Sequence, residues 1–345
     1  MSSTDESPDA RALMPVPPAG RASRVGAGER VRTVTLPGLT LSVRTRAEQR
    51  PGLPTALYVH GLGGSSQNWS DLMPRLADRV NGVALDLPGF GDSPPPDDGN
   101  YSVPGHARAV IRYLEACHEG PVHLLGNSLG GAVATTVAAA RPDLVRTLTL
   151  ISPAMPEVPP QLSAMPTALL ALPGVTRLFR HLTRDWTAER RTREVLGLCY
   201  GDPGRVSPDS FAAATEEYAR RLELPYFWDS MERSARGIVN AYTLGGQYNL
   251  WRQAERVLAP TLLVYGGRDR LVSFRMARRA AEAFHGSRML TLPDAGHVAM
   301  MEYPEAVAGA VGELLDSVAD DRPAGDGRHR APTGRGSTDL QTGRS

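Results

Sequence analysis

Seven short apolar runs, most of them followed by a helix-like segment, limit what this chain can become. They are Leu39–Val43, Ala56–Val59, Val83–Leu87, Val122–Leu125, Leu148–Ile151, Leu262–Tyr265 and Met289–Leu292. Helical spacing of apolar residues recurs near 70–79, 104–118, 129–140, 274–285 and 304–318. Continuous apolar strands alternating with helices predict an α/β fold with a mostly parallel central sheet covered on both faces. The alternation stops between about 154 and 250. Pro-interrupted apolar turns there give way to Arg-rich helical segments such as Thr187–Leu196, then to Tyr226, Phe227 and Trp228, and the sheet pattern resumes at Thr261. An insertion at a strand's C-terminal end lies over the ligand crevice of such a sheet. The expected division is a core of 31–153 and 251–321, a helical insertion of 154–250, and two polar tails, 1–30 and 322–345, with too little apolar surface to fold.

Composition removes several function classes. The chain has 345 residues, and all 38 of its basic residues are Arg, set against 37 acidic ones. Without Lys there is no Schiff-base chemistry through an amine and no P-loop. The near-neutral balance points away from a dedicated nucleic-acid binder. Cys117 and Cys199 have neither framework nor metal-ligand spacing and are expected to be reduced and buried. The eight histidines do not cluster as metal ligands, and no G-x-G-x-x-G opens a helix, so neither a metal nor a dinucleotide cofactor is expected. The uncharged stretches 120–140 and 158–176 are broken by Gly and by Pro, respectively, and do not fit the ~20 apolar residues of a spanning helix. Residues 1–30 contain no apolar signal core, and the expected location is the cytoplasm.

The chemistry concentrates at Gly126-Asn127-Ser128-Leu129-Gly130-Gly131, between an apolar run and an Ala-rich helical segment. A G-x-S-x-G pattern gains meaning from that strand-to-helix context. The chain must turn sharply there, which exposes the serine, and the helix start offers backbone N–H groups and a positive dipole end to developing negative charge.

On these residues the sequence resembles the α/β-hydrolase family, in its serine hydrolase branch with a helical cap. Three further segments carry the resemblance. His60-Gly61-Leu62-Gly63-Gly64 is similar to the family's oxyanion loop, Asp86-Leu87-Pro88-Gly89-Phe90-Gly91-Asp92-Ser93 to its D-x-P-G-x-G-x-S turn, and Asp294-Ala295-Gly296-His297 to its histidine loop. The family places its acid after a late strand, where Asp269 stands in Tyr265-Gly266-Gly267-Arg268-Asp269-Arg270. The resemblance thus implies Ser128 as nucleophile, His297 as general base and then acid, and Asp269 as the group that fixes the imidazole tautomer. It implies the backbone N–H groups of Leu62 and Leu129 as the oxyanion hole. Asp86, Asp294 and His60 are expected to be structural.

The implied activity is hydrolysis of a small to medium, largely apolar carboxylic ester through an acyl-enzyme, with a small molecule as the partner. Ser rather than Asp at position 128 points away from epoxide hydrolases and haloalkane dehalogenases. A carbon–carbon bond hydrolase or an acyltransferase with the same triad remains open, although the loop 61–64 lacks the Pro often found in the former. So does a ligand receptor that keeps the fold but turns over slowly. Met155, Leu162, Met165, Leu169 and Leu170 are candidates for an acyl pocket or for plain packing of the insertion, and Trp69 is equally ambiguous. The Arg-rich segment 180–193 reads as a solvated face. The sequence leaves the oligomeric state open.

Overall fold

The computed structural model describes residues 25–26, 28–117, 120–159, 161–243 and 245–319. All seven apolar runs fall on strands, Val83–Leu87 running two residues past its own: β2 (Leu39–Arg46), β3 (Thr55–Val59), β4 (Asn81–Leu85), β5 (Val122–Asn127), β6 (Val145–Ile151), β7 (Thr261–Gly266) and β8 (Arg288–Leu292). An eighth, β1 (Glu29–Leu36), precedes them. The sheet order is β1-β2-β4-β3-β5-β6-β7-β8, antiparallel from β1 to β4 and parallel from β4 onward. The expected core boundary at residue 31 therefore falls inside β1. Its Arg30 and Arg32 alternate with Val31, and such a half-exposed edge strand carries no continuous apolar run. Most of both expected tails lies outside the described residues.

Alternate strand residues feed two cores. Leu57 and Val59 point to one, with side chains from α1 (Val103–Ala116), α2 (Leu129–Ala140), α8 (Leu250–Ala254) and α9 (Met276–Ala283). Ala56 and Tyr58 point to the other, with α10 (Ala299–Glu302), α11 (Pro304–Ala319) and two 3-10 turns, Ser66–Trp69 and Met73–Leu76. The expected helix over 70–79 is thus only a 3-10 turn within looser turns. Pro74 donates no N–H, and its ring clashes with the carbonyl four residues back when a helix precedes it.

Between β6 and β7 the described residues form, besides three 3-10 turns, the helices α3 (Met165–Leu169), α4 (Val175–Leu182), α5 (Ala188–Cys199), α6 (Pro208–Glu223) and α7 (Phe227–Thr243), then α8. Close approaches fix this segment on the core. A Cβ on Gly237 would stand 2.5 Å from the Tyr101 carbonyl oxygen, and His106 Nε2 lies 3.1 Å from Ser234 Oγ. Cys117 and Cys199 are free, but each is only partly buried rather than buried as expected, Cys117 at the end of α1 and Cys199 at the end of α5. Among the described residues no helix is long and apolar enough to cross a membrane.

Candidate active site

The C-terminal ends of four neighbouring parallel strands, β3, β5, β6 and β7, and of the edge strand β8 lie along one rim of the sheet, where such folds bind ligands. Ser128 follows β5 and caps α2 with φ 54° and ψ −118°, a left-handed conformation that costs a non-glycine residue about 1–3 kcal/mol. The neighbours enforce it. A Cβ on Gly130 would stand 2.2 Å from the Val59 carbonyl oxygen, and one on Gly126 2.3 Å from that of Gly130, so strand and helix approach to backbone contact. Ser128 stays partly exposed while Asn127 and Leu129 on either side are buried.

Asp269 follows β7 and His297 follows β8; both are buried. Asp269 Oδ2 lies 2.9 Å from His297 Nδ1, and its Oδ1 accepts the N–H groups of Leu271 (2.7 Å) and Val272 (2.9 Å). Burial opposes ionisation of this carboxyl, but the imidazole's charge and hydrogen bond, with the Val272 N–H, prevail and hold it below the usual carboxylate range. Among the described residues no hydrogen bond joins Ser128 Oγ to the imidazole. The two residues are tied instead through Asn127, whose Nδ2 donates to the His297 carbonyl and to that of Ile151, both at 3.0 Å. Catalytic hydrogen bonds often close only around substrate.

Leu129 opens α2, and the first N–H groups of a helix have no acceptor within it. Leu62 stands in the loop after β3. That loop abuts the serine, since a Cβ on Gly61 would lie 3.1 Å from Ser128 Cβ. His60 shapes the loop: its Nε2 accepts the Leu87 N–H (3.0 Å), so Nδ1 carries the proton and donates to the Gly61 carbonyl (2.7 Å). Burial pushes this imidazole down to about 3, which keeps it neutral. Asp86 accepts the N–H groups of Ser66 (2.6 Å) and Asp92 (3.0 Å) and clamps its turn, while Asp294 pairs with Arg268 at the surface.

Trp69 is wholly buried against Tyr58, with ring centroids 5.2 Å apart, and Met155 is buried in the opposite core. Met165 and Leu169 are exposed instead. Two surface clefts, of about 220 and 270 Å3, include none of Ser128, Asp269 and His297.

Two groups around the site escaped the sequence. Glu302 is buried, and its carboxylate accepts the N–H groups of Gly296 (2.7 Å), Gly201 (3.1 Å) and Asp202 (2.8 Å), which joins the loop before His297 to the end of α5. Arg221 on α6 donates to the Gly63 carbonyl (2.6 Å) and Ser65 Oγ (2.8 Å). Buried Glu217 orients both Arg221 (2.7 Å) and Arg220 (2.8 Å), and Arg220 reaches Asp92 (2.9 Å). Neither group has a local signature: an acid or an arginine in a helical segment reads as a solvated face until the tertiary partner is known.

With this geometry in view, the comparisons are unambiguous about ancestry. The family model described as alpha/beta hydrolase fold matches residues 54–304, and the chain belongs to that family. It is 28% identical over 293 residues to the pimeloyl-[acyl-carrier protein] methyl ester esterase of Neisseria meningitidis, covering 81% of this chain and 83% of that one. It is 27% identical to the 2-hydroxy-6-oxo-6-(2'-aminophenyl)hexa-2,4-dienoic acid hydrolase of Metapseudomonas resinovorans, covering 81% and 89%. Among solved structures, Cfl2 from Burkholderia cenocepacia shares the fold with a TM-score of 0.71 at 21% identity, over 84% of this chain and 96% of that one.

Proposed function

We propose that the protein is a serine hydrolase of carboxylic esters, with Ser128, His297 and Asp269 as its triad and residues 154–250 as a cap. The observation that carries the proposal is the pairing of a strained, partly exposed serine at a helix start with a buried imidazole–carboxylate couple on the same sheet rim. In the first step Ser128 Oγ attacks the ester carbonyl and its proton passes to His297 Nε2. The oxyanion forms against the N–H groups of Leu62 and Leu129. His297 then protonates the leaving alcohol, and water releases the acid from the acyl-enzyme by the reverse sequence. Esterases among the relatives favour an ester substrate.

Carbon–carbon bond hydrolysis is the second reading, supported by the Metapseudomonas relative at nearly the same identity. The first test is turnover of p-nitrophenyl esters of increasing chain length by wild type and Ser128→Ala. Turnover is expected in the wild type and should vanish in the variant; equal rates would end the proposal. Turnover of a vinylogous β-diketone acid with little ester cleavage would favour the second reading.

A further inference from the structure

Helix α4 is packed inside out. Thr176 and Thr183, seven positions apart, are buried against the neighbouring helices of the insertion, where Thr176 Oγ1 bonds Glu232 of α7 at 2.5 Å and Thr183 Oγ1 accepts from Arg191 of α5 at 2.9 Å. On the opposite side Leu178 and Leu182, one turn apart, are 56% and 67% exposed. A helix facing water carries its apolar stripe inward. The inversion is not isolated: eight of the fifteen exposed large apolar side chains among the described residues lie between 158 and 182, Leu162 at 84% and Leu172 at 51% among them. Monomers rarely leave such a concentration uncovered without a use for it.

Charge indicates what covers it. Residues 158–184 contain no Asp or Glu, and Arg177, Arg180 and Arg184 are all exposed, the last sharing its charge with Asp185 at 3.4 Å. Apolar side chains that penetrate, flanked by arginines at headgroup depth, complement an anionic bilayer surface. The geometry points to the segment 158–184 as a docking surface for anionic lipid, with α4 lying in the interface and Leu178 and Leu182 turned into the acyl region. Gln161 Nε2 donates to the Asp269 carbonyl (3.1 Å) and Ser163 Oγ to that of Arg270 (2.5 Å), so the docked segment is held beside the acid's loop. Entry of esters from the lipid side rests on the function proposed above.

Flotation of the full chain with vesicles tests the docking without turnover. Wild type and Ser128→Ala should both bind vesicles of equal parts phosphatidylcholine and phosphatidylglycerol about tenfold more than phosphatidylcholine alone, and raised salt should weaken that binding. Leu178→Ser/Leu182→Ser should lose about tenfold in binding while keeping the wild-type rate on a soluble short-chain ester, and Leu178→Met/Leu182→Met should retain binding. Arg177→Gln/Arg180→Gln, which leaves the apolar face intact, should erase the anionic preference. Wild type indifferent to lipid charge, or a serine pair that floats like wild type, overturns the proposal. A wild-type dimer that the serine pair dissolves also overturns it, because a second copy would then cover the face. Flotation that succeeds while ester turnover fails would remove the proposed function and leave the docking surface standing.

Discussion

At residue 269 a single carboxylate performs two duties, and they separate with pH. Its hydrogen bond to His297 orients the imidazole, so Asp269→Asn, which presents an N–H where an acceptor is needed, should lower kcat on a p-nitrophenyl ester by about 10⁴. Its carboxyl is also held below the ordinary value of about 3.9, so it binds fewer protons folded than unfolded near that pH. The resulting stability is present above the unfolded value and lost as pH falls through the folded one. The urea midpoint of wild type should therefore exceed that of Asp269→Asn at pH 6, with the gap shrinking below about pH 4; a gap that persists into acid would contradict this coupling. Ser128, Asp269 and His297 were legible because each follows an apolar strand in a Gly-rich turn. Asn127 was visible beside the serine, but its bonds to Ile151 and His297 depend on strand neighbours that no local pattern states.

Among the elements, the loop before His297 depends on α10 for its shape. Glu302 there satisfies three backbone donors, and a carboxamide at that position can accept from fewer while its NH2 meets further donors. Glu302→Gln should cost about 1.5–3 kcal/mol for each charge-assisted bond lost, seen as a lower thermal midpoint, together with a fall in kcat as His297 loosens. An unchanged midpoint would deny the clamp. The strands β2 to β7 were legible because burial on both faces leaves continuous apolar runs, and the half-exposed edge strand β8 was legible from Met289–Leu292 alone. β1 was not, since it pairs only with β2 and alternates charge with Val and Thr. The helix expected at 70–79 failed for the complementary reason: its apolar residues have helical spacing, but Pro74 shortens the hydrogen-bonded stretch to a 3-10 turn.

Across the whole molecule, the insertion and the core meet through buried charge. Glu217, Arg220, Arg221 and Asp92 link α6 to the loops after β3 and β4, and removing one member strands the others. Glu217→Gln should destabilise the protein by about 3–5 kcal/mol in chemical denaturation, and Arg221→Met should weaken a boronic acid inhibitor more than it raises KM, because the Gly63 carbonyl it holds belongs to the loop that would face the oxyanion. Equal losses on both measures would make Arg221 a binding rather than a positioning residue. A further consequence follows from the spacing of Asn127 and His297, which stand 170 positions apart although they touch. During synthesis Ser128 leaves the ribosome long before His297, its proposed base, and the edge of β6 waits for β7 until the whole helical segment has emerged. Until then the triad proposed above is incomplete and the edge of β6 stays uncovered, the kind of exposed strand edge that invites self-association.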